Sequence, residues 1–210
     1  KLQLLEVLSY TQNQGKDVPN PIDLAEHCEG TNQKPKSKKQ EKSSVLSLYT
    51  VNMLEEAKLG NYETFIGRDE EILRVTEILC RKTKNNPVFV GDSGVGKTAI
   101  VQGIATKICQ KKVPSFLEDF VIYGLDVAAL VAGAKFRGDF EERIRQITNE
   151  LIKQEKVILF IDEIHSIVGS ATPGSGNVDA SNLLKPLLTN GKIRVIGATT
   201  FDDFAKTFEK

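Results

Sequence analysis

The chain has 210 residues, 40% of them hydrophobic and 27% charged, with Lys+Arg and Asp+Glu balanced at 28 each. That composition fits a globular protein with one full domain, and zero formal net charge sets up no global field for nucleic acid or an anionic membrane. No apolar run approaches the ~20 residues of a membrane span, and three widely spaced cysteines (Cys28, Cys80, Cys109) favour a reducing compartment over a disulfide or zinc framework.

Residues 1–30 begin without an initiator Met and without signal-peptide architecture, so the chain is expected to start partway through a longer protein. Leu2, Leu4, Leu5, Val7 and Leu8 form a short apolar cluster that suits one turn-rich helix before the Pro19-Asn20-Pro21 break. From 31 to 44 the composition turns to Lys, Gln, Ser, Thr and Pro, which reads as a Lys-rich flexible linker. A basic stretch can also touch nucleic acid, but no aromatic residues interleave to stack on bases.

Regular patterning begins at 45. Residues 46–59 suit a helix ended by Gly60, and 69–82 suit another with Ile72, Val75 and Leu79 on one face. A short apolar strand at 87–90 precedes glycines, a helix follows from Thr98, and 120–123 reads as a second strand. Gly138-Asp139 opens a long helix with Phe140, Ile144, Ile147 and Leu151 at helical spacing. Val157–Ile161 is an apolar run expected of a strand covered on both faces. A Gly/Ser/Pro loop at 170–177, a helix at 180–188 and a buried strand at 193–196 complete the pattern. Strands alternating with helices predict an α/β layer on a mainly parallel sheet.

Gly91-Asp92-Ser93-Gly94-Val95-Gly96-Lys97-Thr98 matches G-x-x-x-x-G-K-[ST] at every fixed position. At ordinary residue usage the match arises by chance in roughly 1% of chains of this length, and a strand before it with a periodic helix after it reduce that further. Glycines let successive backbone N–H groups turn inward on phosphate oxygens, and the helix that opens through Lys97, Thr98 and Ala99 aims its N-terminus at the same anion. Lys97 is then placed for the β- and γ-phosphates of ATP, and the Thr98 hydroxyl for Mg²⁺. The second signal is Asp162-Glu163 at the end of the apolar strand. Ligands in parallel α/β sheets sit beyond the C-terminal strand ends. There Asp162 suits the Mg²⁺, usually through its water shell, and Glu163 suits the water that attacks ATP. His165 follows without forming an H-E-x-x-H pair and is expected to pack or hydrogen-bond rather than ligate metal. His27-Cys28 stand together with no further ligands.

With these two motifs in place, residues from about 46 to 210 resemble the AAA+ superfamily of P-loop NTPases, and within it the first ATPase module of Clp-type unfoldases. The resemblance implies a three-layer sandwich with a mainly parallel five-stranded sheet. Phe65-Ile66-Gly67-Arg68-Asp69 looks like the family's opening motif, in which the positions of Phe65 and Ile66 line the adenine pocket. Gly91-Asp92-Ser93-Gly94 lacks the Pro that usually precedes the second Gly in ClpB, and with residues 179–186 and 191–197 it is similar to the ClpA group rather than to ClpB or ClpC. Lys135-Phe136-Arg137 between glycines resembles the substrate pore loop of the hexamer, with Phe136 where the family usually has Tyr; a paddle gripping a threaded chain needs area and stiffness more than a hydroxyl. Ala198-Thr199-Thr200 resembles the sensor-1 segment, Thr200 aligning with the residue that meets the γ-phosphate or its attacking water.

The resemblance further implies a homo-hexamer, protein substrates, an adaptor, a ClpP-like peptidase and a cytoplasmic setting, with no nucleic-acid or membrane partner. It divides the chain into a remnant of an N-terminal domain at 1–30, the linker at 31–44 and a large nucleotide-binding subdomain at 45–210. The arginine finger and the helical lid are expected beyond Lys210, and the isolated fragment is expected to be a feeble ATPase. A ClpB/ClpC-like disaggregase and an AAA+ nucleic-acid motor are the alternative readings.

Overall fold

The computed structural model describes residues 3–6, 44–63, 67–132, 137–168, 184, 188 and 193–208. In chain order they form β1 (Gln3–Glu6), α1 (Val45–Tyr49), β2 (Thr50–Asn52), α2 (Met53–Lys58), α3 (Asp69–Leu79), β3 (Pro87–Val90) and α4 (Lys97–Cys109). After a 3-10 turn at Ser115–Leu117 come β4 (Val121–Leu125), α5 (Val127–Val131), α6 (Arg137–Ile152), β5 (Val157–Ile161), α7 (Ile164–Val168), β6 (Ile193–Thr199) and α8 (Phe201–Phe208).

The sheet runs β1-β3-β6-β5-β4-β2. Its four inner strands are parallel, and β1 and β2 close the two edges as antiparallel strands. The expected mainly parallel α/β sandwich is therefore present, with six strands among the described residues where five were expected. The parallel register aligns Val90 with Thr199, and Ile161 with both Gly197 and Leu125. All four inner strands thus deliver their C-terminal ends to one rim.

Strand β5 shows why the sequence there is continuously apolar. Ile158 and Phe160 enter the core built with α2, α3 and α4, while Val157, Leu159 and Ile161 enter the core under α5, α6 and α7. Alternate side chains point to opposite faces, so a central strand with helices on both faces needs apolar residues at every position.

Two expectations fail locally. The helix predicted over 46–59 is two short helices separated by β2. Thr50 adopts φ −138° and ψ 151°, and Asn52 restarts the helix by accepting from the Leu54 and Glu55 N–H groups. The β-branched Thr50-Val51 pair and the capping Asn52 were the local signals, and pairing of Thr50–Asn52 with Leu125–Tyr123 decided the outcome. The apolar cluster near the N-terminus was expected as a helix. Gln3–Glu6 instead pairs antiparallel with Val90–Pro87. The exposed edge of β3 offers a ladder of backbone partners that no local propensity reveals. The remaining calls on 1–30, the linker up to 43, the loop at 170–177 and all of the helix at 180–188 except Leu184 and Leu188 lie outside the described residues.

Candidate functional site

The phosphate loop follows β3 directly, and its two inner glycines are there for their backbone freedom. Gly94 has φ +77° and Gly96 φ +92°, the left-handed region that a Cβ disfavours. Gly96 caps α4, whose first turn is Lys97-Thr98-Ala99. The Lys97 ammonium donates to the Gly91 carbonyl at 2.7 Å and to the Asp92 carbonyl at 2.8 Å, so the side chain lies back over its own loop. Arg68, in left-handed geometry ahead of α3, donates to the Val95 carbonyl at 3.3 Å and ion-pairs with Glu71 at 2.9 Å. The opening motif therefore touches the phosphate loop through its arginine. The Arg68 hydrogen bond to Glu71 holds the Glu71 carboxyl below its ordinary range.

Strand β5 ends at Ile161, two positions before Glu163. The Thr98 hydroxyl donates to Asp162 Oδ2 at 2.6 Å, joining residues 64 apart in sequence. Glu163 has φ +50°. A non-glycine residue in that conformation costs of order 1–3 kcal/mol and persists only where its surroundings dictate it. Here Ile164 is 5% exposed against Gly197, where an added Cβ would meet Ile164 Cδ1 at 3.1 Å, and the Ser166 N–H donates to the Glu163 carbonyl at 2.8 Å.

Both loops open onto one cavity of about 400 Å³. Ser93, Gly94, Gly96, Lys97, Thr98 and Ala99 line one side, and Asp162, Glu163, His165, Thr199 and Thr200 the other. The sequence-predicted Lys97, Thr98, Asp162, Glu163 and Thr200 are thus brought together. Asp92 and Val95 contribute backbone carbonyls to Lys97 and Arg68 rather than side chains to the cavity. Phe65, Ile66, Lys135 and Phe136 lie outside the described residues, and Arg137 is described only as the first backbone position of α6. No group of three or more His, Cys, Asp or Glu residues able to hold a metal occurs among the described residues. The adjacent Thr98 hydroxyl and Asp162 carboxylate fit Mg²⁺ nonetheless, because that ion takes one or two protein oxygens and completes its shell with water and substrate phosphate.

Two features escaped the sequence. Thr200 caps α8: its hydroxyl donates to Asp203 Oδ2 at 2.6 Å and accepts from the Asp203 N–H at 3.2 Å. A Thr followed three residues later by an acid was the available signal. The Thr200 bond comes first among the causes holding the Asp203 carboxyl below its usual range, with His165 and Lys206 adding to it. The second is the identity of the partners of His165, which the sequence expected to pack or hydrogen-bond: its Nδ1 lies 3.0 Å from the buried Thr199 hydroxyl and its Nε2 3.5 Å from Asp203 Oδ2.

Comparison with known proteins agrees with this geometry. Residues 87–207 match the family model described as "ATPase family associated with various cellular activities (AAA)". Chaperone protein ClpB of Enterococcus faecalis is 46% identical over all of this chain, which spans 24% of that protein. A ClpA homolog protein of Fuscovulum blasticum is 48% identical over 94% of the chain, again 24% of the relative. Among solved structures, an S. cerevisiae Hsp104–ADP complex superposes with a TM-score of 0.68 at 42% identity, over 78% of this chain and 28% of that one. The chain spans about a quarter of the length of the curated relatives named here. A phosphate loop, an acidic strand end and a shared cavity on a parallel sheet, together with these matches, place the chain in the AAA family of ATPases, among relatives of the ClpB and ClpA type.

Proposed function

We propose that this chain is the ATP-binding and ATP-hydrolysing module of a Clp-type protein unfoldase. The observation that carries the reading is the 2.6 Å bond between Thr98 and Asp162, with Glu163 and Lys97 on the same cavity. Loop N–H groups and the α4 N-terminus receive the triphosphate, and Lys97 leaves its carbonyl partners for the β- and γ-phosphates. Thr98 and Asp162 hold Mg²⁺, which neutralises charge on the phosphates when bound. Glu163 orients a water and takes its proton, while Thr200 meets the γ-phosphate. Phe65 and Ile66 line the adenine pocket.

In the whole protein, modules of this kind form a homo-hexamer in which Lys135, Phe136 and Arg137 grip a threaded polypeptide. The finer reading is a ClpA-like subunit that feeds a ClpP-like peptidase with the help of an adaptor. A disaggregase without a peptidase is the second reading, favoured by relatives named ClpB and by a solved Hsp104 structure described with ATPγS and FITC casein. Mg²⁺-dependent binding of a fluorescent ATP analogue, lost in Lys97→Ala, tests the nucleotide site. In the full-length parent, stimulation of ATPase activity by an unfolded protein supports the unfoldase, and stimulation by DNA instead would overturn it.

A further inference from the structure

We propose that His165 is a positioning residue that couples Thr200 to Glu163, with Asp203 as its partner. The proposal rests on the reading above in which Thr200 meets the γ-phosphate. His165 sits in α7 two residues after Glu163, and its ring reaches β6 and α8 at once, through Thr199 Oγ1 at 3.0 Å and Asp203 Oδ2 at 3.5 Å. Thr199 is 1% exposed, so its hydroxyl has little freedom and fixes the ring. Only one neutral tautomer suits both neighbours. The Thr199 hydroxyl donates to Nδ1, and the Nε2–H faces the Asp203 carboxylate; the other tautomer would set a nitrogen lone pair against that anion.

Asp203 Oδ2 also accepts the single proton of the Thr200 hydroxyl, at 2.6 Å. A Thr200 that donates to a phosphate oxygen must therefore release Asp203. The carboxylate then loses its shortest hydrogen bond, and the His165 N–H is the neighbouring donor that can take over. Closing that 3.5 Å gap pivots the imidazole about its Thr199 bond and, through the side chain, pulls on the first turn of α7. That turn holds Glu163 in its left-handed conformation. Arrival of the γ-phosphate at Thr200 is thereby felt at the water-polarising carboxylate, through Asp203 and His165.

The test compares equilibrium binding of fluorescent ADP and ATPγS to the full chain and to Thr200→Ala, His165→Ala, His165→Gln and His165→Asn, with Tm as a check on folding. His165→Ala is expected to weaken ATPγS about tenfold and ADP by less than about twofold, matching Thr200→Ala, as loss of a hydrogen bond to a charged group implies. Gln, whose amide reaches the Nε2 position, should restore most of the ATPγS preference, whereas the shorter Asn should not. A preference lost in Thr200→Ala but kept in His165→Ala overturns the coupling and leaves the Thr200 reading standing. A preference kept in Thr200→Ala overturns both. If His165→Ala does not fold, Gln and Asn decide: equal behaviour of the two at unchanged Tm overturns the proposal.

Discussion

Thr98 at the start of α4 and Asp162 at the end of β5 share a 2.6 Å hydrogen bond that fixes the two halves of the nucleotide site against each other. Neither residue suggests a metal site by composition alone; their adjacency supports the proposed Mg²⁺ site. Asp162→Asn keeps the size but removes the charge that Mg²⁺ requires. Titration of ATP-analogue binding with Mg²⁺ should therefore lose its metal dependence in Asp162→Asn, with metal-free binding within about threefold of the parent as expected for a neutral isostere.

Glu163 occupies a turn, not a strand, and its side chain is exposed at the cavity. Glu163→Gln preserves shape and cannot accept the proton of water. Turnover should fall by about 10²–10⁴, the usual worth of a general base, while ATP binding stays intact. Single-turnover hydrolysis at the parent's rate would rule out the assigned role.

Gly197 lies where β6 passes under Ile164, and an added Cβ would meet Ile164 Cγ2 and Val88 Cγ2 both at 3.3 Å. Ile164 and Val88 are 5% and 2% exposed, so neither has open space to move into. Gly197→Ala should destabilise the fold by about 1–2 kcal/mol through overpacking. Because Ile164 directly follows Glu163, the same change should slow hydrolysis more than it weakens binding. Denaturant unfolding and single-turnover kinetics read the two effects.

Arg194 has a structural task at the far end of β6, roughly 17 Å from Thr199 along the strand. Its Nε donates to the Leu79 carbonyl at 2.6 Å, at the C-terminus of α3, and its guanidinium lies 4.7 Å and 4.8 Å from the Phe116 and Phe120 ring centres. At 7% exposure these contacts replace water. Arg194→Ala should cost about 2–4 kcal/mol of stability, combining a charged hydrogen bond with two ring contacts, and leave the affinity of folded protein for ATP unchanged. A loss of affinity at full folding would contradict this placement.

Ser44 donates to Glu150 Oε2 at 2.6 Å, and the Leu46 N–H reaches the same oxygen at 3.2 Å, tying the start of α1 to α6. The Ser44 bond is the main reason the Glu150 carboxyl lies below its ordinary 4.5. A depressed folded pKa means the contribution is complete above about pH 4.5 and is lost as pH falls through the folded value. Glu150→Gln should therefore flatten the acid side of the stability profile and lower stability near neutrality. The change should be small, because solvent screens an exposed pair. Urea midpoints measured from pH 3 to pH 7 check the sign.

Sequence alone singled out Lys97, Thr98, Asp162 and Glu163, which the fold brings to one cavity. Phosphate binding demands a fixed local spacing of glycines and one lysine, and a buried parallel strand announces itself by unbroken apolar residues before its acids. Local spacing also located the four inner strands and α3, α4 and α6, with boundaries off by a few residues, but not α5, α7 or α8. Only the tertiary structure could make Gln3–Glu6 and Thr50–Asn52 edge strands, since a strand of three or four residues exists through its partner's backbone and not through its own propensity. It also decided what Thr199, Thr200, His165 and Asp203 do. Their hydrogen bonds join three separate elements, and a hydroxyl or imidazole carries no sequence mark of the partner that the fold will bring to it.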